Sequence, residues 1–325
     1  MPRPLSIALS PYHLATREPP AMAALVLADS VVTLVPQPPT GTSRTDVRAA
    51  VQNSPRYLRL MESWRWSSPL WNSGVISSGV DDEEAACELA GVYESIASED
   101  ALAGLRPLTR GARERAAEDA DKALDHIAGD LLRGGPDPGI NIPIAAALDR
   151  FAARHGLCVV RAGATSIAQR AETRLGTKLF SIAMPLLVRA GGGRVQLLRN
   201  DLESELADLR ESIADVLYPE PVARDANGHV ANVDAISDTA ETYAAAFRRW
   251  ASEWAKGDDE NAERICGGYV SITGMFMPAD CVLRASQAAI HALSVNTPRI
   301  EFGHADKSEP PVRVLMVREM SVRPE

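Results

Sequence analysis

Short apolar runs that are rich in β-branched residues and bounded by Pro, Gly or polar residues recur along the chain and predict β-strands. They cover residues 5–10, 30–35, 157–161, 179–188, 269–277 and 312–322. The first two flank a short apolar segment, 21–28, that follows Pro19 and Pro20. Because Pro is tolerated in the first turn of a helix, the N-terminal part is predicted to form a strand–helix–strand unit.

Longer segments with apolar residues at every third or fourth position predict helices. They cover residues 46–64, 81–98, 109–132, 143–155, 166–174, 194–217, 234–256 and 278–293. Two of them carry regular apolar rows. The first row is Val195, Leu198, Leu202, Leu206, Leu209, Ile213 and Val216, and the second row is Val233, Ile236, Ala240, Tyr243, Phe247, Trp250 and Trp254. Pro219 and Pro221 separate the two rows, so a long antiparallel helical hairpin is predicted over about 194–256.

The elements together predict a helix-rich α+β or α/β protein with a modest mixed sheet and the hairpin on or beside it. The Gly- and Pro-rich break at 134–139 divides the chain into an N-terminal α/β-helical region, 1–135, and a C-terminal α+β region that carries the hairpin, 140–325. A second possibility is that the strands at 5–10 and 312–322 pair and make the chain one domain.

Composition narrows the class of protein. Hydrophobic residues make up 46% of the chain and charged residues 24%, which suits a sizeable core. The net charge of −9 argues against a membrane-surface or nucleic-acid partner that uses the whole surface. The four cysteines are far apart, which is typical of free thiols in a reducing compartment. Lysine occurs only four times among the 34 basic residues. This usage indicates GC-rich codons, so we expect a cytoplasmic bacterial protein.

The first candidate site is the polar segment after the first strand, because α/β sheets bind ligands beyond the carboxyl ends of their strands. It contains Ser10, His13, Arg17 and Glu18. His13 is a candidate general base, Glu18 a group that orients it, and Arg17 a group that holds an anion, with Ser10 as a further ligand contact. The alternative is an ordinary polar loop.

The second candidate site is the segment Arg161-Ala-Gly-Ala-Thr165-Ser166, where a strand, a Gly turn and a helix start follow one another. Such a turn exposes backbone N–H groups to a phosphate, but no Gly-Lys-Ser/Thr follows. The alternative is that Thr165 or Ser166 only caps a helix. The glycines at 191–193 match no dinucleotide-binding pattern and indicate a joint between elements.

The third candidate is a tryptophan-rich segment, 44–71, which contains Trp64, Trp66 and Trp71 and five arginines. Arginine interleaved with aromatic residues is typical of nucleic-acid stacking surfaces. However, Tyr57, Leu60, Met61 and Trp64 share one helical face, which is typical of a helix packed on a core or a subunit interface. With Trp250 and Trp254 of the second apolar row, these tryptophans are the candidate interface residues.

No metal-binding spacing, nucleophile elbow or cofactor motif occurs in the sequence, so neither a metal nor a cofactor is predicted. The leading hypothesis is therefore a protein that acts through protein–protein assembly, with itself or with a partner. The alternative is an enzyme or small-ligand-binding α/β protein that uses the segment 10–18. Nucleic-acid binding through 44–71 is a weaker alternative.

Overall fold

The computed structural model describes most of the chain, and every structural statement below concerns the residues it describes. These are residues 4–17, 19–33, 54–78, 84–161, 180–187, 190–217, 233–255, 265–273 and 281–294. The predicted helix at 166–174 and the predicted strand at 312–322 lie outside them, so both stay predictions.

A single sheet gathers strands from both ends of the chain. Its members are β1 (Ser6–Leu9), β2 (Ser30–Thr33), β3 (Ile76–Ser78), β4 (Cys158–Arg161), β5 (Phe180–Leu187) and β6 (Ile265–Thr273), in the spatial order β3-β2-β1-β4-β6-β5. The four strands β3, β2, β1 and β4 are parallel, and β6 runs antiparallel to both β4 and β5. The predicted helix-rich α+β or α/β class is confirmed in this coarse form. Strand β1 is a central strand of the sheet.

Helices make up most of the remaining described residues. They are α1 (Pro11–Thr16), α2 (Pro19–Leu27), α3 (Pro55–Ser63), α4 (Ser68–Asn72), α5 (Glu84–Ser98), α6 (Arg106–Glu118), α7 (Ala120–Leu132), α8 (Pro138–His155), α9 (Gly192–Asp201), α10 (Glu203–Leu217), α11 (Val233–Ala255) and α12 (Cys281–Ser294). Short 3-10 turns at Arg65–Ser67 and Asp100–Leu105 precede α4 and α6. No described helix has both the length and the apolar character that crossing a membrane requires.

Helix α2 lies in the middle of the core, and residues 21–27 are all buried. The last carbonyl groups of a helix have no partners within the helix itself. Here two buried guanidinium groups donate hydrogen bonds to these carbonyl groups. Arg199 donates to the carbonyls of Leu25, Val26 and Ala28 at 2.8, 3.0 and 2.6 Å, and Arg210 donates to that of Leu27 at 2.6 Å. Helices α9 and α10 are thereby fixed to the end of α2.

Both apolar rows face the interior of the same chain. The described side chains of the first row, from Val195 to Ile213, are buried, and so are those of the second row from Ile236 to Trp250. Helices α10 and α11 pack together, with a hydrogen bond of 3.3 Å from the Thr239 hydroxyl to the Ser212 hydroxyl. The described side chains of both rows are therefore covered by other residues of the same chain.

Several predicted boundaries are wrong, each for a local reason. The predicted helix at 109–132 is two helices, because Asp119 has an extended backbone. The predicted helix at 194–217 is likewise interrupted, at Leu202. Helix α8 begins at Pro138 rather than at 143, since the Asp137 side chain accepts a hydrogen bond from the N–H of Gly139 at 2.9 Å and caps the helix.

Candidate functional site

The strand order reverses at β1, and this fixes where a ligand is expected. From β1 the chain adds β2 and β3 on one side, whereas β4 pairs with β1 on the other side. Leu9 lies in register with both Thr33 of β2 and Val160 of β4, so the three strands end at the same edge. We call this edge, where Ser10, Thr33 and Arg161 lie, the carboxyl edge. Ligands of open α/β sheets bind at such a point of reversal.

The segment after β1 is a short helix rather than the loop that the sequence suggested. Ser10 takes the N-cap position of α1 in an extended conformation, and Pro11 at the first helical position is pre-organised for a helix. Arg17 ends the helix in the left-handed region at φ 52°. As a result His13 is turned inward and is only 2% exposed, whereas Arg17 stays half-buried at the end of α1.

Tyr12 joins α1 to a buried carboxylate that the sequence analysis did not single out. Its hydroxyl donates a hydrogen bond of 2.7 Å to Oδ2 of Asp130, near the end of α7. The other oxygen of Asp130 accepts a hydrogen bond of 2.8 Å from the backbone N–H of Asp137. Both side chains are buried, so this network fixes α1 against the 134–139 segment at the carboxyl edge.

The 134–139 segment continues this network toward the surface. Oδ2 of Asp137 lies 3.3 Å from Nε2 of His126, and that nitrogen lies 3.0 Å from a guanidinium nitrogen of Arg115. Gly135 has φ 77°, and a Cβ placed on it would come within 2.8 Å of the Tyr12 ring. Glycine is therefore required both by the backbone conformation and by the close approach to α1.

Burial raises the pKa of both Tyr12 and Asp130. Loss of solvent raises the pKa of Tyr12 well above its ordinary value, and the charge of Asp130 raises it further. Burial also raises the pKa of Asp130, although the hydrogen bond from Tyr12 lowers it. The hydroxyl of Tyr12 therefore keeps its proton at neutral pH and acts as the donor.

Thr33 is a second buried polar group at the carboxyl edge. It is the last residue of β2 and its side chain is 0% exposed. Within the described part of the chain, its Oγ1 has no hydrogen-bond partner. An unpaired hydroxyl in the interior costs about 1–3 kcal/mol, so its position at this edge calls for an explanation.

Two of the sequence candidates meet beside the carboxyl edge. The guanidinium carbon of Arg17 lies 4.6 Å from the centre of the Trp66 ring, which is a cation–π contact. The backbone of the same segment packs on α9, because a Cβ on Gly192 would come within 2.6 Å of the Trp66 carbonyl oxygen. Residues from the first and third candidate sites thus touch, and the joint at 191–193 is closely packed at Gly192.

Two of the other tryptophans, Trp64 and Trp250, are part of the core. Trp64 is buried, as are Tyr57 and Leu60 on the same face of α3, in agreement with the predicted core-facing pattern. Trp71 is half-buried and donates to the Ser67 hydroxyl at 3.1 Å. Trp250 is buried and donates to Asp201 at 2.8 Å, and Trp254 lies near the end of α11.

The second candidate site is described only in part. Arg161 is the last residue of β4, where its backbone lies opposite Ser271 of β6. Thr165 and Ser166 lie outside the described residues, as does Glu18. Their roles as a phosphate cradle and as an orienting carboxylate stay predictions.

Tyr12, Thr33 and Asp130 do not stand out in the sequence. The available signal for Asp130 is its place in α7, three positions after the buried Ile127 and next to the buried Leu131. A lone carboxylate at the edge of an apolar helix face indicates a specific buried partner. For Thr33 the only signal is its place near the end of an apolar strand.

No protein-family model, curated protein or solved structure matches this chain. The described residues also contain no group of three His, Cys, Asp or Glu side chains arranged to hold a metal ion. Function is therefore inferred from the geometry of the carboxyl edge.

Proposed function

We propose that the protein binds a small polar ligand at the carboxyl edge, between the ends of β1 and β4. The observation that carries this proposal is the reversal of strand order at β1, together with the buried polar side chains of Ser10, His13 and Thr33 at that edge. Small-molecule sites carry a few polar groups at fixed positions in a mostly apolar surrounding, and these three side chains fit that description.

His13 is the residue best placed to act on such a ligand. Imidazole changes its protonation near neutral pH more readily than any other ordinary side chain, so it suits a general base. It lies in α1 directly after Tyr12, whose hydroxyl is held by Asp130. If the protein is an enzyme, Asp130 therefore positions α1, and His13 exchanges the proton.

A thermal-shift screen tests this proposal with nucleosides, nucleotides, sugars, amino acids and small carboxylic acids. We expect at least one compound to raise the melting temperature of the wild-type protein and of His155→Gln, but not of His13→Gln. His155 is an exposed histidine at the end of α8 and serves as the matched control. A screen in which no compound binds, or in which His13→Gln responds like wild type, would refute the proposed site.

Protein–protein assembly stays a prediction that the buried apolar rows do not support. We also infer that the hairpin is antiparallel, because Thr239 contacts Ser212 whereas Trp250, further along α11, contacts Asp201, which lies earlier in the chain. Since both rows are covered within the chain, light scattering should give the monomer mass of 34.9 kDa at all concentrations. A stable dimer would restore the assembly hypothesis.

Nucleic-acid binding through 44–71 also stays a prediction. In the described part of this segment, Tyr57 and Trp64 are buried in the core and so are not presented to bases. Stacking on nucleic acid requires exposed ring faces. The segment therefore offers at most the half-buried Trp66 and Trp71.

A further inference from the structure

His126 lies between two side chains that compete for the same ring nitrogen. Its Nε2 atom is 3.0 Å from a guanidinium nitrogen of Arg115, near the end of α6, and 3.3 Å from Oδ2 of Asp137, just before α8. A guanidinium can only donate hydrogen bonds, whereas an ionised carboxylate can only accept them. Because a ring nitrogen carries either a lone pair or a proton, Nε2 can serve only one of these neighbours at a time.

The protonation of His126 decides which neighbour it serves. In the neutral ring with its proton on Nδ1, the lone pair of Nε2 accepts a hydrogen bond from Arg115, and α7 is joined to α6. A second proton binds at Nε2, which then donates to Asp137 and joins α7 to the start of α8. The same proton removes the acceptor of Arg115 and brings two positively charged groups together, so Arg115 is released.

Solvent reaches His126 without any opening of the fold. The side chains of His126 and Asp137 are 27% and 33% exposed, and Arg115 is exposed. Other titratable side chains around α7 have neighbours elsewhere: Arg56 pairs with Asp125, Lys122 with Asp119 and near Glu118, Arg133 and Tyr12 with Asp130, and Tyr93 with the Gly139 carbonyl. Among these groups only an imidazole ordinarily changes its charge between about pH 5 and 8, so the pH dependence is assigned to His126.

We propose that His126 is a pH-dependent switch, which attaches the last turn of α6 through Arg115 at neutral pH and releases it in mild acid in favour of Asp137. The extended backbone of Asp119 separates α6 from α7, so this turn can loosen while α7 stays intact. Asp137 caps α8 through its other oxygen, Oδ1, which accepts from the N–H of Gly139 at 2.9 Å. Helix α8 therefore keeps its cap in both states. The switch involves no ligand and does not depend on the proposed function.

The first test reads the proton on the ring directly. Nitrogen-15 NMR of the histidine side chains distinguishes a protonated from an unprotonated ring nitrogen, and the signals that disappear in His126→Gln are those of His126. At pH 8 we expect Nδ1 of His126 to carry the proton and Nε2 to carry none. At pH 5 both nitrogens should be protonated. A neutral ring with its proton on Nε2 would mean that Arg115 has no acceptor there, and the proposal would be wrong.

The second test follows the last turn of α6 by hydrogen exchange of the backbone amides, corrected for the intrinsic effect of pH. In wild type, protection of residues 113–118 should fall about tenfold between pH 8 and pH 5, which corresponds to the loss of one hydrogen bond. The side chain of glutamine has a separate acceptor and donor for the two neighbours and does not titrate. His126→Gln should therefore keep its protection at both pH values.

Two further variants complete this test. Arg115→Gln lacks the charged donor, so it should show low protection of residues 113–118 at pH 8 already and little further change at pH 5. His155→Gln, which replaces an exposed histidine of α8, should respond to pH like wild type. Wild-type protection that does not change with pH, or that falls equally in His126→Gln, would overturn the proposal.

Discussion

At the scale of single residues, the hydroxyl of Tyr12 connects two parts of the chain that are 118 positions apart. Tyr12→Phe removes the donor and leaves Oδ2 of the buried Asp130 without it. Because a buried acceptor is then left without its partner, we expect the free energy of unfolding to fall by about 1–3 kcal/mol, measured by urea denaturation.

The matched control for Tyr12→Phe is Tyr57→Phe. Tyr57 is equally buried, but no hydrogen bond involves its hydroxyl among the described residues. Its substitution should change the free energy of unfolding by less than about 0.5 kcal/mol. Equal effects of the two substitutions would contradict the assigned role of the Tyr12–Asp130 bond.

The raised pKa of Asp130 gives a pH dependence with a definite sign. Since burial raises the pKa in the folded state, the folded protein binds more protons than the unfolded chain between the two pKa values. The contribution of this carboxyl group to stability is therefore present at low pH and is lost as the pH rises through the folded-state pKa.

Asp130→Asn removes this titration. The free energy of unfolding of wild type minus that of Asp130→Asn should decrease as the pH rises from about 4, the ordinary value for an aspartate, and level off above the folded-state pKa. Urea denaturation at a series of pH values measures this difference. A difference that grows with pH would show that the pKa is lowered instead.

His13 and Arg17 stand out as candidates in the sequence because they follow an apolar run that predicts a strand. Asp130 and Thr33 could not be found in this way, because the importance of each depends on a neighbour that is distant in sequence or on the strand order. Hydrogen bonds over such separations leave no periodic signal. The contact between Arg17 and Trp66 was hidden for the same reason, although each residue was a candidate in its own segment.

At the scale of elements, the joint between the tryptophan segment and α9 depends on one glycine. A Cβ on Gly192 would meet the Trp66 carbonyl oxygen at 2.6 Å and Cα of Ser67 at 3.2 Å, and backbone atoms cannot rotate away. Gly192→Ala should therefore lower the free energy of unfolding by about 1–3 kcal/mol.

The neighbouring Gly193 is the matched control, because a Cβ there would meet nothing within 4 Å. Alanine has a higher helix propensity, so Gly193→Ala should leave the free energy of unfolding unchanged or raise it by up to about 1 kcal/mol. Thermal denaturation of the two variants checks both values. If both substitutions are tolerated, α9 does not pack on residues 66–67 as described.

Most elements were predictable where a continuous apolar run or a regular apolar row marks them. Strand β3 was missed because three residues are too few to show a pattern. Helix α1 was missed because it is short and carries the polar residues of a loop. The break at Asp119 was missed because the residues around it are good helix formers, and nothing local predicts its extended conformation.

At the scale of the whole molecule, the division into two domains at 134–139 stays a prediction. The sheet crosses this division. Strand β1 lies before the division and pairs with β4, which lies after it. If the chain folds as one unit, fragments 1–135 and 140–325 should show no cooperative unfolding separately, but should regain native circular dichroism when mixed. A fragment that folds alone would establish two domains.

The two arginines that hold the end of α2 have a consequence for synthesis of the chain. The carbonyls of Leu25 and Ala28 accept hydrogen bonds from a side chain that lies 174 and 171 positions later. At about 5–20 residues per second, a ribosome needs roughly 10–35 s to supply it. During that interval the nascent segment 19–27 exposes an apolar surface, and its last carbonyl groups lack the hydrogen bonds from Arg199. A chaperone that binds exposed apolar segments is therefore expected to associate with the emerging chain there until Arg199 has been synthesised.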